Sequence, residues 1–143
     1  MPCSDSLYFL FVNYGTLPRL WYYFEINVNS YSGQGSISAG PFLFDSSAVS
    51  AADICRYPNN KDFWLITRGS NNQEFKYWII SDTGVAVAPF VSTVQGASPG
   101  GGYIEFMDIS PDASLIALTS RWSPYANLNN ALVRLYKFDD QVG

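Results

Sequence analysis

The stretch RYPNNKDFWLITR, residues 56–68, returns in outline as ISPDASLIALTSR, residues 109–121. Each passes through a proline turn into a short apolar run and ends on Arg, so that Pro58 corresponds to Pro111 and Arg68 to Arg121. Internal repetition constrains a fold more than any single motif. A repeated unit buries its apolar face against its neighbours, so the units must stack. After each copy comes a polar loop and then an aromatic-rich run closing in a small turn, YWIISDTG (77–84) and LYKFDDQVG (135–143). The beginning of the chain carries the same second half: LYFLFVN, a loop, then LWYYFEINVNSYSG.

Each unit reads as strands. No segment sustains the i, i+3, i+4, i+7 apolar spacing of a capped helix. Strands are expected at 7–13, 20–28, 41–45, 49–56, 63–68, 74–81, 85–92, 103–109, 115–120 and 131–138. Their boundaries hold Gly, Pro, Asn, Asp or Ser, the residues that tight turns demand. NSYSGQGSISAG (29–40) reads as a turn-rich connection. Aromatics make up 17% of the chain, which favours pleated, half-buried surfaces. The runs YFLFV, FWLI and LIAL are apolar at consecutive positions, the signature of strands covered on both faces. The units divide at about 6–45, 49–92 and 103–143, with roughly four antiparallel strands each, the period and strand count of β-propeller blades.

Composition narrows function by exclusion. The net charge is −4 and the eight basic residues are scattered, which argues against nucleic acid as a partner. No apolar run approaches the ~18–20 residues that span a bilayer, so membrane insertion is not expected. The opening MPCSDSLYFLFVN lacks the basic start and cleavage site of an export signal and reads as a strand. Histidine is absent, which removes the commonest general base and most zinc sites. Cys3 and Cys55 have no metal-ligand spacing, and two thiols are expected rather than a bridge. No metal or cofactor is expected.

The pair ISPDASLIALTS and ALVRLYKFDDQVG resembles a blade of the WD-like propellers in surface proteins of Bacteroidota. YPNNKDFWLITRGSNNQEFKYWIISDTGV is similar to another blade of that family, and LWYYFEINVNSYSGQG to the one before it. The likeness spans nearly the whole chain. It implies an all-β, propeller-type segment of a secreted or surface-exposed protein, of the kind whose multidomain relatives carry gliding-motility or type IX secretion sorting domains. It also implies an incomplete ring, either part of a longer protein or an arc that self-associates through open blade edges. Ala113 stands where the family usually has Gly, which suits a turn that avoids positive φ.

Within that frame the expected role is structural or recognition, with protein or glycan as ligand and no catalytic residue. The loops after the second strands bring together Arg68, Asn71, Asn72, Arg121, Trp122, Tyr125 and Asn127 as the candidate ligand face. Aromatic rings beside amides suit sugars or peptides. Trp122 also reads as a lid on its own blade, and the paired Arg68 and Arg121 as inter-blade contacts. Tyr22, Tyr23, Trp64 and Trp78 read as core. The alternative is a glycan-active enzyme, for which Glu25, Glu74, Glu105, Asp53 and Asp108 supply the carboxylates. Their structural reading is as hydrogen-bond partners.

Overall fold

The computed structural model describes residues 6–16, 18–69, 73–94, 103–121 and 132–138. Ten strands account for most of them: β1 (Leu7–Tyr14), β2 (Arg19–Asn27), β3 (Ser36–Arg56), β4 (Phe63–Gly69), β5 (Glu74–Ser81), β6 (Gly84–Val85), β7 (Phe90–Thr93), β8 (Tyr103–Ile109), β9 (Leu115–Arg121) and β10 (Leu132–Lys137). A single 3-10 turn lies at Tyr31–Gly33. All pairings are antiparallel and form two open sheets. One runs β1-β2-β3-β4-β5-β6, with β7 also on β5; the other runs β10-β9-β8. The chain is therefore all-β. Among the described residues no helix is long and apolar enough to cross a membrane.

β3 organises the molecule. It is one strand of 21 residues where the sequence predicts a connection, a strand over 41–45 and another over 49–56. Its first half pairs with β2 and its second half with β4, and it changes partner at Ala48, opposite both Arg19 and Gly69. Ser46 and Ser47 read as a break, but the Asp45 carboxylate accepts the Ser47 N–H at 3.0 Å and the backbone stays extended. Gly40 has φ +107°, and a Cβ there would lie 3.0 Å from the Tyr23 carbonyl, so only glycine lets β3 approach β2 this closely.

The large sheet folds over at β3. Phe9 and Phe11 of β1 and Phe44 of β3 pack on Leu65, Trp78 and Ile80, on the opposite face of β4 and β5 from the small sheet. The other face of β4 and β5 presents Trp64, Ile66, Phe75 and Tyr77 to Met107, Ile109, Ile116, Leu118 and Phe138. Three layers result. The first is β1, β2 and the first half of β3; the second is the rest of β3 with β4 to β7; the third is β8 to β10. FWLI is covered on both faces, as its composition predicts: Trp64, Leu65 and Ile66 are all at most 3% exposed.

YFLFV and LIAL are not. β1 strictly alternates half-buried and exposed positions, and Leu115 is exposed where Ile116 and Leu118 are buried. These strands lie in the end layers, where the described residues supply a neighbour on one side only. The expected strand 85–92 is interrupted as well. Pro89 has no N–H to give a ladder, and β6 and β7 meet β5 separately on either side of it.

The repeated turns superimpose in their bonding. Asn60 N–H donates to Tyr57 O and Tyr57 N–H to Asp62 O; Ala113 N–H donates to Ser110 O and Ser110 N–H to Leu115 O. In each, the second residue after proline takes a positive φ, +59° at Asn60 and +54° at Ala113. The expectation that Ala113 avoids positive φ is thus corrected. The turn closes only if that residue is left-handed, and alanine accepts the strain because it is only 7% exposed and packs in the core. Ala113→Gly would relieve about 1–2 kcal/mol of left-handed strain. It would lose about 0.8 kcal/mol of methyl burial and about 0.5–1 kcal/mol to the freer unfolded glycine. The terms oppose, so chemical denaturation of the variant should give a stability within about 1 kcal/mol of wild type.

The second turn is tied by Asp112. Its Oδ1 accepts from Ser110 Oγ at 2.6 Å, Ser114 Oγ at 2.9 Å and Ser114 N at 3.2 Å. The bond from Ser110, then those from Ser114, hold the carboxyl below its ordinary pKa. A carboxyl depressed in the folded state stabilises above its unfolded pKa, and that contribution is lost as pH falls through the lowered value. Asp112→Asn should therefore lower Tm most near neutrality. The gap to wild type should close below about pH 4, as read by melts across a pH series.

Candidate functional site

Polar chemistry inside the described part of the molecule gathers at the β3 pivot. Asp45 is 3% exposed and lies between β2 and the fold-over of the sheet. Its Oδ1 accepts Lys76 Nζ at 2.7 Å, and its Oδ2 accepts Thr67 Oγ1 at 2.9 Å. Lys76 also donates to Ser47 Oγ, Ser47 Oγ donates to Asp45 at 3.4 Å, and Trp78 Nε1 donates to Thr67 at 3.4 Å. A serine beside a lysine invites comparison with a nucleophile and its base. The bonding runs the other way: Lys76 is the donor to Ser47, and Asp45 holds the ammonium. A base must accept the nucleophile's proton, so the cluster fits a structural clasp joining the first layer to the second. Sequence reasoning missed it because Asp45 and Lys76 are 31 residues apart and neither sits in a motif.

Arg68 lies elsewhere than on an open loop face. It is 1% exposed, with its guanidinium 4.2 Å from the Phe75 ring centre and 5.3 Å from that of Tyr136, between the second and third layers. Burial pushes its pKa below the ordinary value, and Tyr136 opposes that shift by charge and hydrogen bonding. This geometry is that of an inter-layer contact. A lowered arginine pKa means that the cation is disfavoured on folding, at every pH below the folded value. Arg68→Met keeps the apolar stem and removes the charge. It should leave the stability unchanged or raise it, whereas Arg68→Ala should cost about 2–4 kcal/mol of stability through the cavity left behind. Denaturant titration of both variants distinguishes a packing role from an ionic one.

Of the other ligand-face candidates, Asn71, Asn72, Trp122, Tyr125 and Asn127 lie outside the described residues. Arg121 closes β9, where it pairs with Tyr103. It holds in that strand the place that Arg68 holds in β4.

The carboxylates are dispersed. Asp53 accepts the Ile54 N–H at 2.8 Å and, across the layers, the Ile109 N–H at 2.8 Å, which ties β3 to β8. Glu25 and Glu74 are half-buried on β2 and β5, and Asp108 is exposed on β8. Glu105 lies in β8. Cys55 is half-buried opposite Trp64 and packs on the core, while Cys3 lies outside the described residues. Of the expected aromatic core, Trp64 and Trp78 are each 3% exposed and Tyr23 packs on Phe9 and Phe42. Tyr22 is only half-buried, opposite Val12.

No known protein family, curated protein or solved structure matches this chain.

Proposed function

We propose that this chain is a non-catalytic, propeller-type segment of a secreted or surface-exposed protein, with a structural role and recognition of protein or glycan at its loop end. The observation that carries this reading is the serial stacking of three antiparallel layers, two of which pass from one strand to the next through the same proline turn. Each layer packs its β1-, β4- or β9-type strand in the same order along the stack. Support for a non-catalytic role comes from the use of Asp45 and Asp53 as bridges between layers. The sequence resemblance to surface propellers of Bacteroidota supports the location.

The test uses the full chain and a set of cello-, chito- and laminari-oligosaccharides. Tryptophan fluorescence reads binding, and reducing-end release reads turnover. Saturable binding without release is the expected result for a recognition module. The absence of both removes glycan and leaves protein recognition or structure as the role. Release of reducing ends from any member of the set would overturn the non-catalytic reading.

A further inference from the structure

Among the described residues the two end layers each leave one face bare, and the faces differ. On the first layer the register puts Tyr8, Leu10, Val12 and Tyr14 of β1 on one side with Ile37 and Leu43 of β3, and all six are 38–73% exposed. On the third layer Phe106, Leu115, Val133 and Leu135 share the outward side, at 39–70% exposure. At roughly 150–250 Å² for a whole large side chain, six about half exposed present on the order of 600 Å², and four somewhat less. A monomer's largest apolar patch is about 300–600 Å², and a stable interface takes about 800 Å² from each partner, a little over half of it apolar. Among the described residues there are two patches of that apolar size, at opposite ends of the stack.

Their counterparts inside the molecule are already joined. The second layer's inner strand turns Trp64 and Ile66 towards the third layer and Leu65 towards the first. By the shared turn, Leu118 corresponds to Leu65 and packs back on the second layer, while Ala117 and Thr119 correspond to Trp64 and Ile66 and share the bare side with Val133 and Leu135. The bare side of the third layer is thus the kind of face that the second layer uses towards its successor. The bare side of the first layer is the kind that the second uses towards its predecessor. Asp108 and Lys137, both exposed, add a charged border to the third-layer face, an arrangement of apolar centre and polar rim.

We infer that this chain associates head to tail with a second copy of itself, the bare face of its third layer seated on the bare face of the other copy's first layer. The contact is between unlike surfaces, so it closes into a ring or continues as a stack. It concerns the layer faces and not the loop end, so it stands or falls independently of ligand binding.

Two variants test it, Leu10→Arg on the first-layer face and Leu135→Arg on the third. Sedimentation velocity of the full chain should show association that grows with concentration. Each variant alone should be a monomer, and an equimolar mixture should form a 1:1 pair and nothing larger, since one intact face of each kind remains. Monomeric wild type would overturn the proposal and leave these faces to a different occupant. So would association of either variant alone, or a mixture that stays monomeric. Val12→Arg and Val133→Arg repeat the test at neighbouring positions should either first variant fail to fold.

Discussion

Asp45→Ala should remove about 3–5 kcal/mol of stability, because it leaves the Lys76 ammonium buried without its carboxylate. Lys76 and Asp45 have side-chain exposures of 12% and 1%, so little solvent screens the pair. The same change strips Thr67 and the Ser47 N–H of their acceptor, and a buried donor left unsatisfied costs about 1–3 kcal/mol. Total stabilities of single domains are about 5–15 kcal/mol, so the variant should be marginally folded in urea titration. A second variant separates the charge from the packing. Asp45→Leu with Lys76→Met removes both charges and keeps volume, and it should recover most of the loss. If the double variant is as unstable as Asp45→Ala, the clasp acts through its hydrogen bonds to Thr67 and Ser47 rather than through the ion pair.

Phe75→Ala should have an effect of similar size, about 3–5 kcal/mol. Phe75 is 2% exposed and meets Tyr136 edge-on at 5.2 Å and Tyr77 at 6.4 Å, while its ring carries Arg68. Truncation opens a cavity between the second and third layers and removes one of the two rings that compensate a buried cation. The expected signature is coupling. In Arg68→Met, which needs no such compensation, Phe75→Ala should be milder by about 0.5–2 kcal/mol. Additive losses in the double variant would mean that the ring matters to packing alone.

How far the sequence could be read depended on the range of the interaction. The proline turns were legible to the residue, because Pro58, Asn59, Pro111 and Asp112 act on their own backbone neighbours. The positive φ of Ala113 was not, since alanine carries no local sign of it and the conformation is imposed by turn closure. β3 was misread for a related reason. Ser46 and Ser47 look like a break until Asp45 accepts the Ser47 N–H and Lys76, brought from β5, binds the chain there. The double cover of FWLI could be predicted from its apolar run, but the same run in YFLFV and LIAL lies beside a bare face. Hydrophobicity states that a strand needs neighbours on both sides; it does not say which chain supplies them. For Arg68 the sequence offered both a loop-face contact and an inter-blade one, and what decides between them, the rings of Phe75 and Tyr136, is connected to it by no local pattern.

The undivided course of β3 bears on how such a protein can change over time. Its 21 residues serve the first and second layers at once, so no crossover between those layers can exchange one of them as a cassette without cutting through a strand. Deleting the first layer would also take Asp45, and Lys76 would lose its carboxylate. The third layer is tied to the second by the Asp53 bond to Ile109 and by side-chain packing, with no strand shared between them among the described residues. Exchange of that layer would leave the described strands whole, whereas the first and second layers would have to be inherited together.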